Sequence, residues 1–94
     1  MAGKKAGNLN KTTVAELAND KAVVYKIKNA KGDNVYTGAV ARLKVRDQIA
    51  KHIRGGEEAI PGGKTVQITQ KDTVAEARKS AERIIKRDEP KYNE

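Results

Sequence analysis

In AVVYKIKNAKGDNVYTG, residues 22–38, a segment of alternating side chains runs into turn formers and an apolar-rich segment returns. Val23, Tyr25 and Ile27 fall on one face of an extended strand, because successive strand side chains point to opposite sides. Asn29-Ala30-Lys31-Gly32 supplies the turn, and Gly32 tolerates the positive φ that such loops require. NVYTG, residues 34–38, is the second strand of a β-hairpin. A loop over 29–32 pairs Lys28 with Asp33 and sets Tyr25 directly opposite Tyr36, with Cβ atoms roughly 4.5–5.5 Å apart. A slip of one residue would send the two rings to opposite faces. These are two of only three tyrosines, and the chain has no Phe and no Trp. Packing alone also accounts for a tyrosine pair, since cross-strand aromatics stabilise hairpins.

Working outward, ARLKVRDQIAKHI (41–53) carries Val45, Ile49 and Ile53 at helical spacing, and a Gly-Gly pair at 55–56 stops it. EEAIPGG (57–63) reads as a loop and KTVQITQ (64–70) as a third strand showing Val66 and Ile68 to the core. TVAE occurs at 13–16 and again at 73–76, in each case with the Ser/Thr-x-x-Glu form of a capping box. The residues after the two copies differ, so they mark two helix starts and no duplication. The first helix spans about 13–19. The second runs from about 74 to 88, with Val74, Ala77, Ala81 and Ile84/Ile85 as its stripe, and stops before Pro90. Residues 1–10 show no periodicity and read as a disordered basic tail. The expectation is a single α+β domain over 11–94, a three-stranded sheet with helices packed on it in two layers, in the order α-β-β-α-β-α.

Twenty Lys and Arg against twelve Asp and Glu give a net charge of +8. Such an excess favours a polyanionic partner, most often nucleic acid, through counterion release. DNA is the expected partner, with no membrane and no small-molecule cofactor. No cysteine is present, which removes disulfides and thiolate metal sites and fits a cytoplasmic location. The amino terminus has Lys4 and Lys5 but no apolar run behind them, so it does not read as a secretory signal.

The chain resembles the GIY-YIG nucleases, a family that includes the amino-terminal domain of the bacterial excinuclease C subunit and small stand-alone proteins. VVY (23–25) stands for the first signature and YTG (36–38) for the second. A helix ending KHI (51–53) follows, and AERIIKRDEPKYN (81–93) is similar to the family's closing helix and Pro-x-Tyr-Asn tail. The likeness covers roughly residues 22–93. It implies divalent-metal-dependent hydrolysis of DNA phosphodiester bonds with one Mg²⁺ or Mn²⁺. Tyr25 would be the base, Tyr36 its partner, His52 a proton acceptor or relay, and Glu82 the metal ligand. Arg46 or Lys44 would contact the phosphate, and Arg42, Lys51, Arg54 and Asn93 the nucleic acid. Those residue types suit phosphoryl transfer, which is mostly positioning and charge neutralisation. A phenol near its ordinary pKa of ~10 needs a neighbouring cation to act as a base at neutral pH.

The sequence departs from the family pattern at particular positions. The apolar stripe of the 41–53 helix assigns the family's arginine to Gln48, whereas counting from Tyr36 reaches Arg46. Two helical residues differ by ~200°, so both cannot face one site. Closing-segment spacing puts the metal-ligand position at Ala81, with Glu82 one residue later. Ala39 stands where a lysine often follows the second signature, and Val23 where the first begins with glycine. A nucleic-acid-binding module that has lost catalysis is therefore the alternative to a nuclease, with another protein supplying targeting in either case. A protein-interaction domain whose charge only keeps it in solution is a third.

Overall fold

The computed structural model describes residues 4–17, 19–53, 56 and 59–93. The hairpin is present as β2 (Ala22–Lys28) and β3 (Asn34–Val40), and the third expected strand as Thr65–Lys71. A further strand, β1 (Lys4–Asn8), lies where a disordered tail was expected. It pairs antiparallel with Thr65–Lys71, here β4, so the sheet has four strands in the order β1-β4-β2-β3, all antiparallel. KKAGN has neither alternation nor β-branched residues to signal a strand. Its pairing is carried by the backbone, continued by the Leu9 N–H donating to the Lys64 carbonyl at 2.8 Å.

The hairpin register differs from the expected one by two residues. Asn29 closes the turn, its side-chain oxygen accepting from the N–H groups of Lys31 and Asp33, both at 3.0 Å. The Asn29 N–H bonds the Asp33 carbonyl and Gly32 takes φ 87°, so the loop is one residue longer than expected. Lys28 therefore pairs with Asn34, and a bulge then shifts the pairing once more, to Ile27 with Tyr36 and Tyr25 with Gly38. Two shifts of one residue restore the parity. Tyr25 and Tyr36 still share a face, as diagonal rather than direct neighbours.

The first helix, α1, is Lys11–Glu16, two residues earlier than expected. Asn10, not Thr13, caps it, accepting from the Thr13 N–H at 2.8 Å. Its TVAE thus forms the last four residues of a helix already begun, whereas the second copy does begin its helix, with Thr73 as the cap. Thr73 accepts from the Glu76 N–H at 3.1 Å and starts α3 (Val74–Asp88), which ends where Glu89 turns left-handed.

The middle helix, α2, is only Val45–Ala50 instead of 41–53. Leu43 has φ 69°, a conformation that α-helix excludes, and its N–H bonds the Asn19 carbonyl at 2.7 Å. The Asn19 side-chain oxygen then accepts from the Val45 N–H at 2.9 Å and opens the helix. After Ala50 the chain tightens into i→i+3 bonds, His52 to Ile49 and Ile53 to Ala50. The stripe survives this change: Val45 and Ile49 are fully buried and Ile53 packs against the core.

Strand alternation sorts the core onto two faces. Val23, Tyr25 and Ile27 with Val66 and Ile68 meet Val14 and Leu17 of the α1 segment and Val45 and Ile49 of α2. The even-numbered residues of β2 face α3, whose Ala77 and Ala81 are buried. Helices thus cover both faces, making three layers where two were expected. Among the described residues no helix is long and apolar enough to cross a membrane.

Candidate active site

Tyr25 projects from the middle of β2 into the α1/α2 face and is 1% exposed. Its ring lies across β3 because Gly38 stands opposite: a Cβ at Gly38 would come within 2.6 Å of the Tyr25 Oη. The glycine of YTG is thus a steric requirement of the tyrosine in VVY. The Tyr25 hydroxyl lies 2.9 Å from His52 Nε2, and His52 is itself 1% exposed. Tyr36 completes a triangle of rings, with its centroid 4.7 Å from His52 and 6.0 Å from Tyr25, all mutually tilted. Tyr36 is only half-buried, so the cluster reaches solvent through it. Phenol and imidazole can each act as donor or acceptor, and a proton can pass along the Tyr25–His52 bond in either direction.

The closing turn, a 3₁₀ segment at Lys91–Asn93, secures the strand that carries Tyr36. The Asn93 side chain accepts from the Thr37 N–H at 2.7 Å and donates to the Thr37 carbonyl at 2.8 Å. This amide therefore acts as a short piece of neighbouring strand on the open edge of β3, between Tyr36 and Gly38. Asn93, expected either to support the site or to contact phosphate, is engaged with the backbone of the strand that carries Tyr36.

The basic residues expected at the site are distributed unevenly. Arg46 is exposed and its Nε donates to the Leu17 carbonyl at 2.8 Å, tying α2 to the end of α1. Gln48, half-buried, precedes His52 by four residues, one helical turn. Arg42 and Lys44 are exposed beside the Leu43 turn and Lys51 is half-buried, while Arg54 lies outside the described residues. Glu82 is exposed on α3 among Lys79, Arg83 and Lys86. Ala81 faces the sheet, so a carboxylate there would be buried, and Glu82 is turned ~100° from it, to the flank of Ile85. Ile85, Glu89, Pro90 and Asn93 line one shallow depression on that flank. α3 lies on the opposite face of the sheet from Tyr25, so the structure brings Tyr25, Tyr36 and His52 together but not Glu82. Among the described residues no group of three or more His, Cys, Asp or Glu converges as a metal cage.

Sequence reading missed two organising groups. Asn19 directs the start of α2 from outside it, and nothing local marks that long-range bond. Asp88 ends α3 bound by Arg87 at 2.8 and 3.2 Å and by the Asn34 amide at 3.1 Å. The Arg87 hydrogen bonds, then that of Asn34, then the charges of Arg87 and Lys26, lower its pKa to about 2. Its Arg87 partner is correspondingly raised.

No protein-family model, curated protein or solved structure matches the chain.

Proposed function

We propose that this chain is a GIY-YIG-type domain that hydrolyses DNA phosphodiester bonds with the help of a divalent cation. The observation that carries the reading is the Tyr25–His52 hydrogen bond with Tyr36 packed against it. It is a polar, hydrogen-bonded pair among the aliphatic side chains of the buried core. Burying such groups costs stability unless they are satisfied, and at this position they satisfy each other. Tyr36, the half-buried ring, is the member open to substrate, and Tyr25, as the base, can exchange its proton with His52 through their hydrogen bond. Glu82, the ligand that the resemblance implies, would hold Mg²⁺ or Mn²⁺ on the α3 side of the sheet, where the ion would meet substrate phosphate away from Tyr36 rather than beside it. A single carboxylate is compatible with Mg²⁺, which keeps waters and takes phosphate oxygens from its substrate. Arg42 and Lys44 before α2 and Lys51 at its end are cations that this side of the sheet could offer to a phosphate.

A second reading, a DNA-binding scaffold without catalysis, has its own support. The Arg46 guanidinium is engaged with Leu17, Gln48 occupies the arginine position of the apolar stripe, and Glu82 is across the sheet from Tyr25. The test is to incubate the protein with nicked, branched and linear DNA at low salt with Mg²⁺ or Mn²⁺. Tyr25→Phe and Glu82→Ala are run alongside. Cleavage abolished by both substitutions supports the nuclease. Salt-sensitive binding without cleavage, indifferent to Glu82→Ala, supports the scaffold. No affinity for DNA removes both.

A further inference from the structure

On the face away from the tyrosine cluster, α3 and strands β2 and β4 enclose an open groove of about 420 Å³. Four cations line it: Lys26 from β2, Lys71 from β4, and Arg83 and Arg87 from α3. Thr69 and Ser80 add neutral hydroxyls, and none of the described lining residues is acidic or aromatic. Asp88, on the adjoining surface, occupies part of the Arg87 fork and also feels the charge of Lys26, which leaves Lys71 and Arg83 to carry most of the positive excess. The charge also continues beyond the groove. Lys79 and Lys86 extend it past Arg83, beside Glu82, and Lys28 extends it past Lys26, beside Asp33 and Asp88, so that cations outnumber carboxylates on both extensions. A row of cations longer than one pocket matches a polyanion better than a single phosphate. Single-stranded nucleic acid is typically held by bases stacked on aromatic rings, and the described lining has none. A duplex presents its phosphates and keeps its bases inside, which requires only cations and hydroxyls.

We infer that this groove is a second DNA-binding surface, which holds the sugar–phosphate backbone of a duplex on the side of the sheet opposite Tyr25, Tyr36 and His52. It rests on the reading of the chain as a DNA-acting domain, though not on catalysis. A domain with a phosphate-binding surface on each side of one sheet can engage two duplex segments at once, so branched or crossed DNA suits it better than a single linear segment.

The test measures affinity for a short duplex by fluorescence anisotropy across ~50–200 mM salt. The wild type is compared with the double variant Lys71→Gln/Arg83→Gln and with Arg42→Gln/Lys44→Gln on the other face. Removing one cation from a phosphate lowers the slope of log affinity against log salt by about one. The groove variant is expected to show a slope smaller by about two and to bind roughly tenfold more weakly at the lowest salt. Its far-ultraviolet circular dichroism and melting should match the wild type, since neither side chain is buried. Amide resonances of Thr69 and Ser80 should also shift when the duplex is titrated into the wild-type protein. Unchanged slope and affinity in the groove variant, or unmoved resonances at those residues, overturn the proposal, as does a wild type with no affinity for DNA. Cleavage by a groove variant with wild-type affinity would sink this surface and leave the nuclease reading standing. Groove-dependent binding without cleavage would do the reverse.

Discussion

The two faces of the sheet are built from the same strands and yet differ in kind. On the α1/α2 side, Val23, Tyr25, Ile27, Val66 and Ile68 are all nearly inaccessible, and the fully buried polar groups among the described residues there are a hydroxyl and an imidazole bonded to each other. On the α3 side the same strands contribute Lys26, Gln67, Thr69 and Lys71 to an open groove, and α3 approaches through alanines. Alternation explains the division, because each strand delivers one set of residues to each side. Small alanines let a helix backbone lie close at one point and leave room along its flank. One face therefore fixes geometry, and the other leaves cations exposed to solvent.

The sharpest way to break this contrast is Gly38→Ala. The added methyl must displace the Tyr25 ring, and a loss of about 1–3 kcal/mol in urea denaturation is expected, with weakening of the His52 hydrogen bond. A change within error would mean that the tight face is looser than described. Tyr25→Phe, which keeps the ring and removes the hydroxyl bonded to His52, should cost about 1 kcal/mol and abolish cleavage. Leu43→Gly acts in the other direction. It removes a side chain that is 67% exposed from a left-handed position, and should raise stability by about 0.5–1 kcal/mol. Loss of stability there would show that the Leu43 side chain packs against α2.

On the α3 side the expected effect is smallest and depends on pH. Asp88 has a folded pKa of about 2, below the ordinary carboxylate value of ~3.9. Its contribution is therefore complete above about pH 4 and lost as pH falls through ~4 toward ~2. Because the group is exposed and screened, well under 1 kcal/mol is expected. Asp88→Asn should thus be slightly less stable than wild type at pH 5, with the gap closing toward pH 2. A gap that persists at low pH would assign the effect to Asn34 packing rather than to charge.

Much of this was legible in order along the chain. The hairpin, β4 and α3 follow from alternation, helical spacing and one genuine threonine cap, and each of those signals is local. That Tyr25 and Tyr36 share a face was expected from a register that the structure changes, and it survives because the longer loop and the bulge each shift the pairing by one residue and together preserve parity. That His52 lies beside Tyr25 was implied by the resemblance alone, since no spacing within 41–53 places that helix against β2.

What only the tertiary structure decided involves distant backbone groups. KKAGN becomes a strand because β4 has an open edge, not because of any pattern in its own residues. The helix expected from residue 41 begins at Val45 because Asn19 captures the Leu43 and Val45 amides from 24 and 26 residues away. The fate of Arg46 follows from the Leu17 carbonyl, a helix-end acceptor that no spacing rule within 41–53 can reveal. Local propensity and periodicity are written in neighbouring residues. Which backbone groups remain unsatisfied, and which side chains meet them, is settled only when the sheet has closed.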